Sequence, residues 1–282
     1  MYEPKFYIVF DIERNFRPYQ SDAPTEIVDI GAIKIEANTM SMIEFFSALV
    51  KPTASLSRHT TKLTGITKED VKGAESFPQV IEKFREFVGE DYMFVTWGKE
   101  DYGFLTKDCV LHDTECPYLG KEVRFDLQRF VFHAYQELFP NQPNLKFAVE
   151  QLALEWEGEQ HRAYADAKNT ANIFLTAIKQ KDIHKSYKRN IEFVFVKEGS
   201  LTDKGKKIMK RWVFKELKRT GVSQLTWDWF INSKTWENVS EQYHFNDITV
   251  LLLQNYFPTA LKKSQQQLQI LAAMNSQENQ TL

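Results

Sequence analysis

The order of apolar segments in this 282-residue chain predicts an α/β fold, a mixed sheet covered by helices. Two observations carry that reading. Three apolar, partly alternating segments come first, and a further buried strand then alternates with helical patterns. One link between the early strands is also too short for a helical crossover, so part of the sheet must be antiparallel.

The three opening strands are "KFYIVFDI", "EIVDIGAIKIE" and "MIEFFSALVKP". A well-marked helix follows in "SFPQVIEKFREFVG". Ser76 and Gln79 fit a capping box, Phe77, Val80, Ile81, Phe84 and Val88 form one apolar face, and Gly89 stops it. "YMFVTWG" reads as a buried strand and "KEDYGFLTKDCVL" as the helix leaving it. "FDLQRFVFHAYQELF", "NLKFAVEQLAL" and "DAKNTANIFLTAIKQ" read as further helices.

A hydrophobic content of 43% supports one sizeable core and a smaller second one. The net charge of −2 says little about partners, but its distribution does. Residues 185–219 hold twelve basic and four acidic residues, a local charge of +8. A boundary is expected near 182–190, giving domains 1–184 and 185–282. Two cysteines, Cys109 and Cys116, lack metal-site spacing and fit a reducing compartment. The chain runs almost directly into "KFYIVFDIE", with no basic leader and no long apolar run, so a soluble cytoplasmic protein is expected.

The first strand ends oddly, with Asp11 and Glu13 one residue apart in "FDIE". Side chains at i and i+2 of a strand share a face, so two like charges meet beside a core. The motif alone is weak, because "HDTECP" repeats it with Asp113 and Glu115 in what reads as a surface turn. Two further acids strengthen it. Asp101 follows the buried strand at the start of a helix, and Asp166 stands near the start of another with His161 five residues earlier. Five residues turn a helix by far more than one face, so the pair converges only if His161 lies on the preceding loop. Taken singly, Asp101 and Asp166 read equally as helix-capping acids, and His161 as a surface loop residue.

Taken together, four carboxylates and a histidine suit a hard divalent cation, Mg²⁺ or Mn²⁺, rather than zinc. Two such ions would stabilise carboxylates that otherwise repel one another and would support both oxygens of a phosphodiester displacement. The histidine would act as general base on the attacking water.

In order and context these motifs resemble the DEDDh 3′–5′ exonucleases, which have an RNase H-like fold. The matching segments are "FDIE", "WGKEDYGFL" and "HRAYADAKNTANI", with "EIVDIGAI", "LTGIT", "FPQVIEKF" and "NLKFAVEQLALEWEGEQHRA" between them. They look most like the branch of ERI-type and histone-mRNA exoribonucleases and bacterial sporulation-pathway inhibitor exonucleases. The resemblance covers residues 5–181. It implies a five-stranded mixed sheet, two Mg²⁺ ions held by Asp11, Glu13, Asp101 and Asp166, and His161 as general base. It also implies hydrolysis of single-stranded nucleic acid from the 3′ end to nucleoside 5′-monophosphates.

Departures matter too. Proofreading members of the wider family show a D-T-E-T core, whereas this chain reads "DIERNF", with Arg14 and Asn15 where the terminal sugar would pass. The long "RNFRPYQSDAPTEI" insert resembles the RNA-directed branch, which favours RNA over DNA. Arg14 and Tyr102 are the candidate substrate contacts. Tyr102 would stack on the terminal base or serve as a core aromatic. The rival readings are a DNA-directed, proofreading-like exonuclease and a nucleic-acid-binding regulator on the same scaffold.

Residues 185–282 lie outside the resemblance and read as a small, mainly helical appendage. "KEGSLTDKGKKIMKRWVFKELKR" predicts a loop and an amphipathic helix with lysines on its outer side, which is either a phosphate-backbone contact or a solvated charged face. "LTWDWFINSKTW" and "FNDITVLLLQNYF" read as further helices, and the Gln- and Asn-rich end as frayed.

Overall fold

The first strand of the protein has two different faces, and the architecture follows from them. The computed structural model describes residues 3–17, 24–117, 123–222 and 224–278. The centre of the "RNFRPYQSDAPTEI" insert and the last four residues lie outside the described residues. The chain divides into two compact units, 1–185 and 186–282.

In the first unit, β1 (Phe6–Arg14), β2 (Ile27–Glu36) and β3 (Ser41–Lys51) form an antiparallel meander. Short helices α1 (Arg58–Thr64) and α2 (Lys68–Lys72) lead to β4 (Glu75–Ser76) and α3 (Phe77–Val88). The Ser76–Gln79 capping box starts α3, and Gly89 ends it at φ +69°, a left-handed backbone that suits glycine. β5 (Tyr92–Thr96) then runs parallel to β1, followed by α4 (Glu100–Leu111), β6 (Arg124–Asp126), α5 (Leu127–Ala134), α6 (Leu145–Gln151) and α7 (Ala163–Gln180).

The sheet order is β4-β3-β2-β1-β5-β6, so the sheet has six strands rather than the five expected. The additional strand is a matter of length. β4 is a two-residue pairing with the end of β3, and β6 has three residues, too few for alternation to register. The segment read as a helix from Phe125 therefore begins as strand. Its helix starts after Asp126, whose carboxylate accepts the Arg129 N–H.

Ile8, Phe10 and Ile12 of β1 point into the main core with Phe77, Val80, Ile81, Phe84 and Leu105 from α3 and α4. Phe10, Phe84, Phe94 and Tyr102 pack there with ring centroids 4.9–6.4 Å apart. The odd-numbered residues of β1 face α7, where Tyr7 meets Phe174 edge-on at 4.8 Å. The sheet is thus covered by α3 and α4 on one face and α7 on the other.

The second unit is mainly helical. Its elements are β7 (Arg189–Asn190), α8 (Glu192–Phe195), β8 (Val196–Lys197), β9 (Ser200–Leu201), α9 (Asp203–Thr220), α10 (Trp227–Ile231), α11 (Lys234–Ser240), β10 (Tyr243–His244) and α12 (Asp247–Glu278). Its own core gathers Phe195, Met209, Val213, Leu217, Phe230 and Phe257, with Trp212 stacked on Phe195 at 5.3 Å. "LTWDWFINSKTW" forms two helices rather than one, because Ser233 caps a new start by accepting the Trp236 N–H. The C-terminal stretch expected to fray is helical as far as Glu278. Among the described residues, no helix is long and apolar enough to cross a membrane.

Phe84 has no exposed surface and lies among Phe10, Phe46 and Phe94. Phe84→Ala is expected to destabilise the first unit by about 3–5 kcal/mol in urea unfolding. A loss below about 1 kcal/mol would contradict this account of the core.

Candidate active site

Strand alternation puts Asp11 and Glu13 on the α7 side of β1, away from Phe10 and Ile12. Across the antiparallel ladder, Asp11 opposes Gly31 and Glu13 opposes Asp29. Both partners control where α7 can lie. A Cβ built on Gly31 would fall 2.1 Å from the Tyr164 nitrogen and 2.2 Å from the Ala163 carbonyl carbon. Only a residue without a side chain lets the first turn of α7 rest on the sheet next to Asp11.

Asp29 fixes that turn. Its buried Oδ2 accepts from Arg162 Nε at 3.1 Å and from the Ala163 N–H at 3.3 Å. Arg162, the residue preceding α7, makes no side-chain cap of its own, so the cap comes from β2 instead. His161, just before it, adopts φ +64°, a left-handed conformation that turns the chain into the helix. His161 therefore lies on the loop and Asp166 in the first helical turn, the arrangement their spacing required.

One ligand atom each from Glu13, His161 and Asp166 lies within 4.8 Å of the others. Asp101 stands in the first turn of α4, beyond the end of β5, the parallel neighbour of β1, and lies within electrostatic range of Glu13. Asp11 lies within electrostatic range of Asp101, Asp166, Glu13 and Asp29. Burial, followed by these acids in that order, holds its carboxyl well above the usual range. Glu13 is pushed up to about 8 by burial and by Asp166, Asp29 and Asp101, with Arg162 opposing. Burial and then Glu100 raise Asp101 to about 7. Burial raises Asp166 to about 6, opposed by the N–H bond from His161.

The donor set fits a hard divalent cation. It offers carboxylate oxygens with one imidazole nearby, Asp101 and Asp166 destabilise the charges of Asp11 and Glu13, and Asp166 Oδ1 is buried without a hydrogen-bond partner. The decoy pair behaves otherwise. Asp113 stands in a turn at φ +50°, and the exposed Glu115 forms a surface ion pair with Arg85.

One of the two substrate contacts expected from sequence requires correction. Tyr102 is only 2% exposed, and its hydroxyl donates to the Phe94 carbonyl at 3.1 Å, so its ring belongs to the core and no base can stack on it. Arg14 projects toward α4, where its guanidinium lies 3.5 Å from the centre of the Phe104 ring and donates to the Thr25 carbonyl. The register of β1 breaks between Glu13 and Arg14, and Asp101 lies within electrostatic range of the guanidinium. Sequence reasoning also assigned no role to Asp29, Gly31 or Arg162, although "DIG" and "HRA" lie within the matching segments.

A family model described as exonuclease (RNase_T) matches residues 8–174. The chain belongs to this exonuclease family. Among curated relatives, the PolC-type DNA polymerase III of Clostridium perfringens is 31% identical over 63% of the chain. The DNA polymerase III epsilon subunit of Aquifex aeolicus is 28% identical over 62% of the chain and 81% of its own length. The exonuclease spans only 12% of the length of the PolC-type relative. Among solved structures, the nuclease domain of 3′hExo, a DEDDh family member bound to rAMP, superposes with a TM-score of 0.56 at 23% identity. That match covers 62% of this chain and 92% of the other. The cell-death related nuclease CRN-4 gives 0.54 at 19% identity over 62% and 64%. These likenesses establish the RNase H-like fold of the first unit.

Two outcomes follow for this exonuclease. Carboxyls whose folded pKa is raised bind protons in the native state that the unfolded chain has released. Native stability without metal must therefore fall as pH rises from about 4 through the raised values of about 6 to 8. In EDTA the Tm is expected to drop between pH 5 and pH 8, and added Mg²⁺ or Mn²⁺ should raise it more at pH 8 than at pH 5. A metal effect independent of pH would count against a cation among these carboxylates. Gly31→Ala should displace the start of α7, costing about 1–3 kcal/mol in urea unfolding and on the order of a hundredfold in turnover. Full activity in that variant would show that the close approach is dispensable.

Proposed function

We infer that this protein hydrolyses single-stranded nucleic acid from its 3′ end to nucleoside 5′-monophosphates, with RNA preferred and DNA as a second substrate. The observation carrying this reading is the convergence of Glu13, His161 and Asp166 beside Asp11 and Asp101, in a protein of the exonuclease family. Asp11, Glu13, Asp101 and Asp166 would hold two Mg²⁺ ions, which Mn²⁺ can replace. When bound, such ions neutralise the charge that develops on a phosphodiester undergoing displacement and acidify water at neutral pH.

The protein's own residues supply the remaining steps. The imidazole of His161 takes the proton of the attacking water, a task suited to a ring nitrogen that can accept and pass on a proton. Asp166 accepts the His161 N–H, which fixes the histidine backbone relative to the carboxylates. Asp29 and Arg162 anchor the loop carrying both. Tyr102, through its hydroxyl bond to the Phe94 carbonyl in the middle of β5, ties the start of α4, which carries Asp101, to that strand.

RNA as the preferred substrate is supported by the "RNFRPYQSDAPTEI" insert and by fold neighbours described with rAMP and with a histone mRNA stem-loop. The polymerase III relatives favour a second, DNA-directed reading. A cytoplasmic setting accords with two cysteines present as thiols.

The deciding experiment uses 5′-labelled single-stranded RNA and its DNA counterpart with Mg²⁺, Mn²⁺ or EDTA. A metal-dependent ladder shortening from the 3′ end is expected, faster on RNA. Faster DNA cleavage would establish the second reading, and tight binding without cleavage would make the protein a regulator. Asp11→Asn should abolish activity with the fold intact, and His161→Ala should lower it by about 10²–10⁴-fold. An active Asp11→Asn variant would overturn the assignment.

A further inference from the structure

The two units carry opposite charge. Residues 1–185 hold 22 Lys and Arg against 29 Asp and Glu, and residues 186–282 hold 14 against 9. A polyanionic strand approaching an acidic nuclease unit needs cationic contacts from elsewhere in the protein. The second unit concentrates them on one helix.

Helix α9 has eight basic residues and two acids, Asp203 and Glu216. Its inner face is apolar, with Met209, Val213 and Leu217 buried in the unit's core. Thr202 caps its start by accepting the Gly205 N–H, and Gly221 ends it in a left-handed turn. The helix is therefore a fixed platform.

On its outer face, Lys204, Lys207, Arg211, Lys215 and Lys218 follow one another at intervals of three, four, four and three residues, and all are exposed. That spacing keeps them on one stripe. At 1.5 Å per residue the stripe is about 21 Å long. Glu216 faces inward, fully buried, and bonds Arg219 and Thr235. Asp203 pairs with Lys206. Both ion pairs lie outside the stripe, and Lys207, Arg211, Lys215 and Lys218 form none among the described residues.

A merely solvated helix mixes signs, because opposite charges at i,i+3 and i,i+4 stabilise it and like charges destabilise it. Here every consecutive pair along the stripe is a like-charge neighbour. Such an arrangement is stabilised by a linear array of negative charge. At 3.4 Å per phosphate along a stacked strand, about 21 Å matches roughly six phosphates.

We propose that the Lys204–Lys218 stripe of α9 binds the phosphate backbone of a nucleic acid strand. The stripe contains no aromatic residue, so it reads charge and not sequence. The proposal deepens the exonuclease reading by assigning strand retention to the second unit, and its test separates the two.

The full chain carrying Asp11→Asn, in EDTA so that no strand is cut, is titrated against fluorescein-labelled 20-nucleotide oligo(dT) and oligo(U). Affinity is read by anisotropy from 50 to 300 mM NaCl. Lys207→Gln, Arg211→Gln, Lys215→Gln and Lys218→Gln together should weaken binding at 100 mM salt at least tenfold. They should also make the slope of log K against log salt shallower by about 3, because each phosphate contact on a single strand contributes about 0.7. Each single Gln variant should lower the slope by about 0.7, and the charge-preserving set Lys207→Arg, Arg211→Lys, Lys215→Arg and Lys218→Arg should keep it. Unchanged affinity and slope in the single and combined Gln variants would overturn the proposal. So would equal losses in the charge-preserving set.

The p-nitrophenyl ester of thymidine 5′-monophosphate, tested with Mn²⁺ and an intact Asp11, reports the carboxylate site without a strand. The fourfold Gln variant should hydrolyse it at the wild-type rate. If the wild-type protein leaves the ester and all oligonucleotides uncut while the salt result stands, the exonuclease reading fails and the stripe does not.

Discussion

The seating of α7 on the sheet is the constraint on which the site depends. The helix approaches β2 so closely at Gly31 that any side chain there would occupy the backbone of Ala163 and Tyr164. Asp29, two residues away on the same strand, completes the seat by capping the helix and pairing with Arg162. Because Gly31 opposes Asp11 and Asp29 opposes Glu13, the ladder that aligns β1 with β2 also aligns α7 with the carboxylates. One register thus positions three groups distant in sequence. A one-residue slip would turn Asp11 and Glu13 into the aromatic core.

That geometry stores electrostatic cost. Burial raises the carboxyl pKa of all four acids, and Asp101, Asp166 and Asp29 push those of Asp11 and Glu13 up further. The fold tolerates the cluster because the opposite face of the sheet is densely apolar, with Phe10, Phe84 and Phe94 fully buried. Holding acids apart from solvent and close together prepares them for cations, since the repulsion present without metal becomes attraction with it. The cationic stripe on α9 shows the same physics with the sign reversed: like charges aligned on a rigid element, stabilised by a linear polyanion.

Much of this was legible in the residues themselves. Period-two alternation in "KFYIVFDIE" forces Asp11 and Glu13 onto one face whatever surrounds them. The capping box at Ser76, the apolar stripe that follows it and the stop at Gly89 are local signals, and they are read locally. The five-residue step from His161 to Asp166 excludes a shared helical face, so the two can converge with the histidine on the preceding loop, which is where it stands. Strands as short as β4 and β6 leave no such signal, because two or three residues carry no period.

Other features were decided only by the tertiary structure, because they depend on which elements pack together. "DIG" looks like ordinary strand until a helix crosses it, and only then does Gly31 become a contact point and Asp29 a cap for a helix 133 residues away. Tyr102 stands beside a catalytic-type acid in sequence, but a helix turns about 100° per residue. Asp101 and Tyr102 therefore point to different places, one to the carboxylates and the other to the core. The sequence determined which groups could come together; the packing of α7 and α4 against β1 decided which of them do.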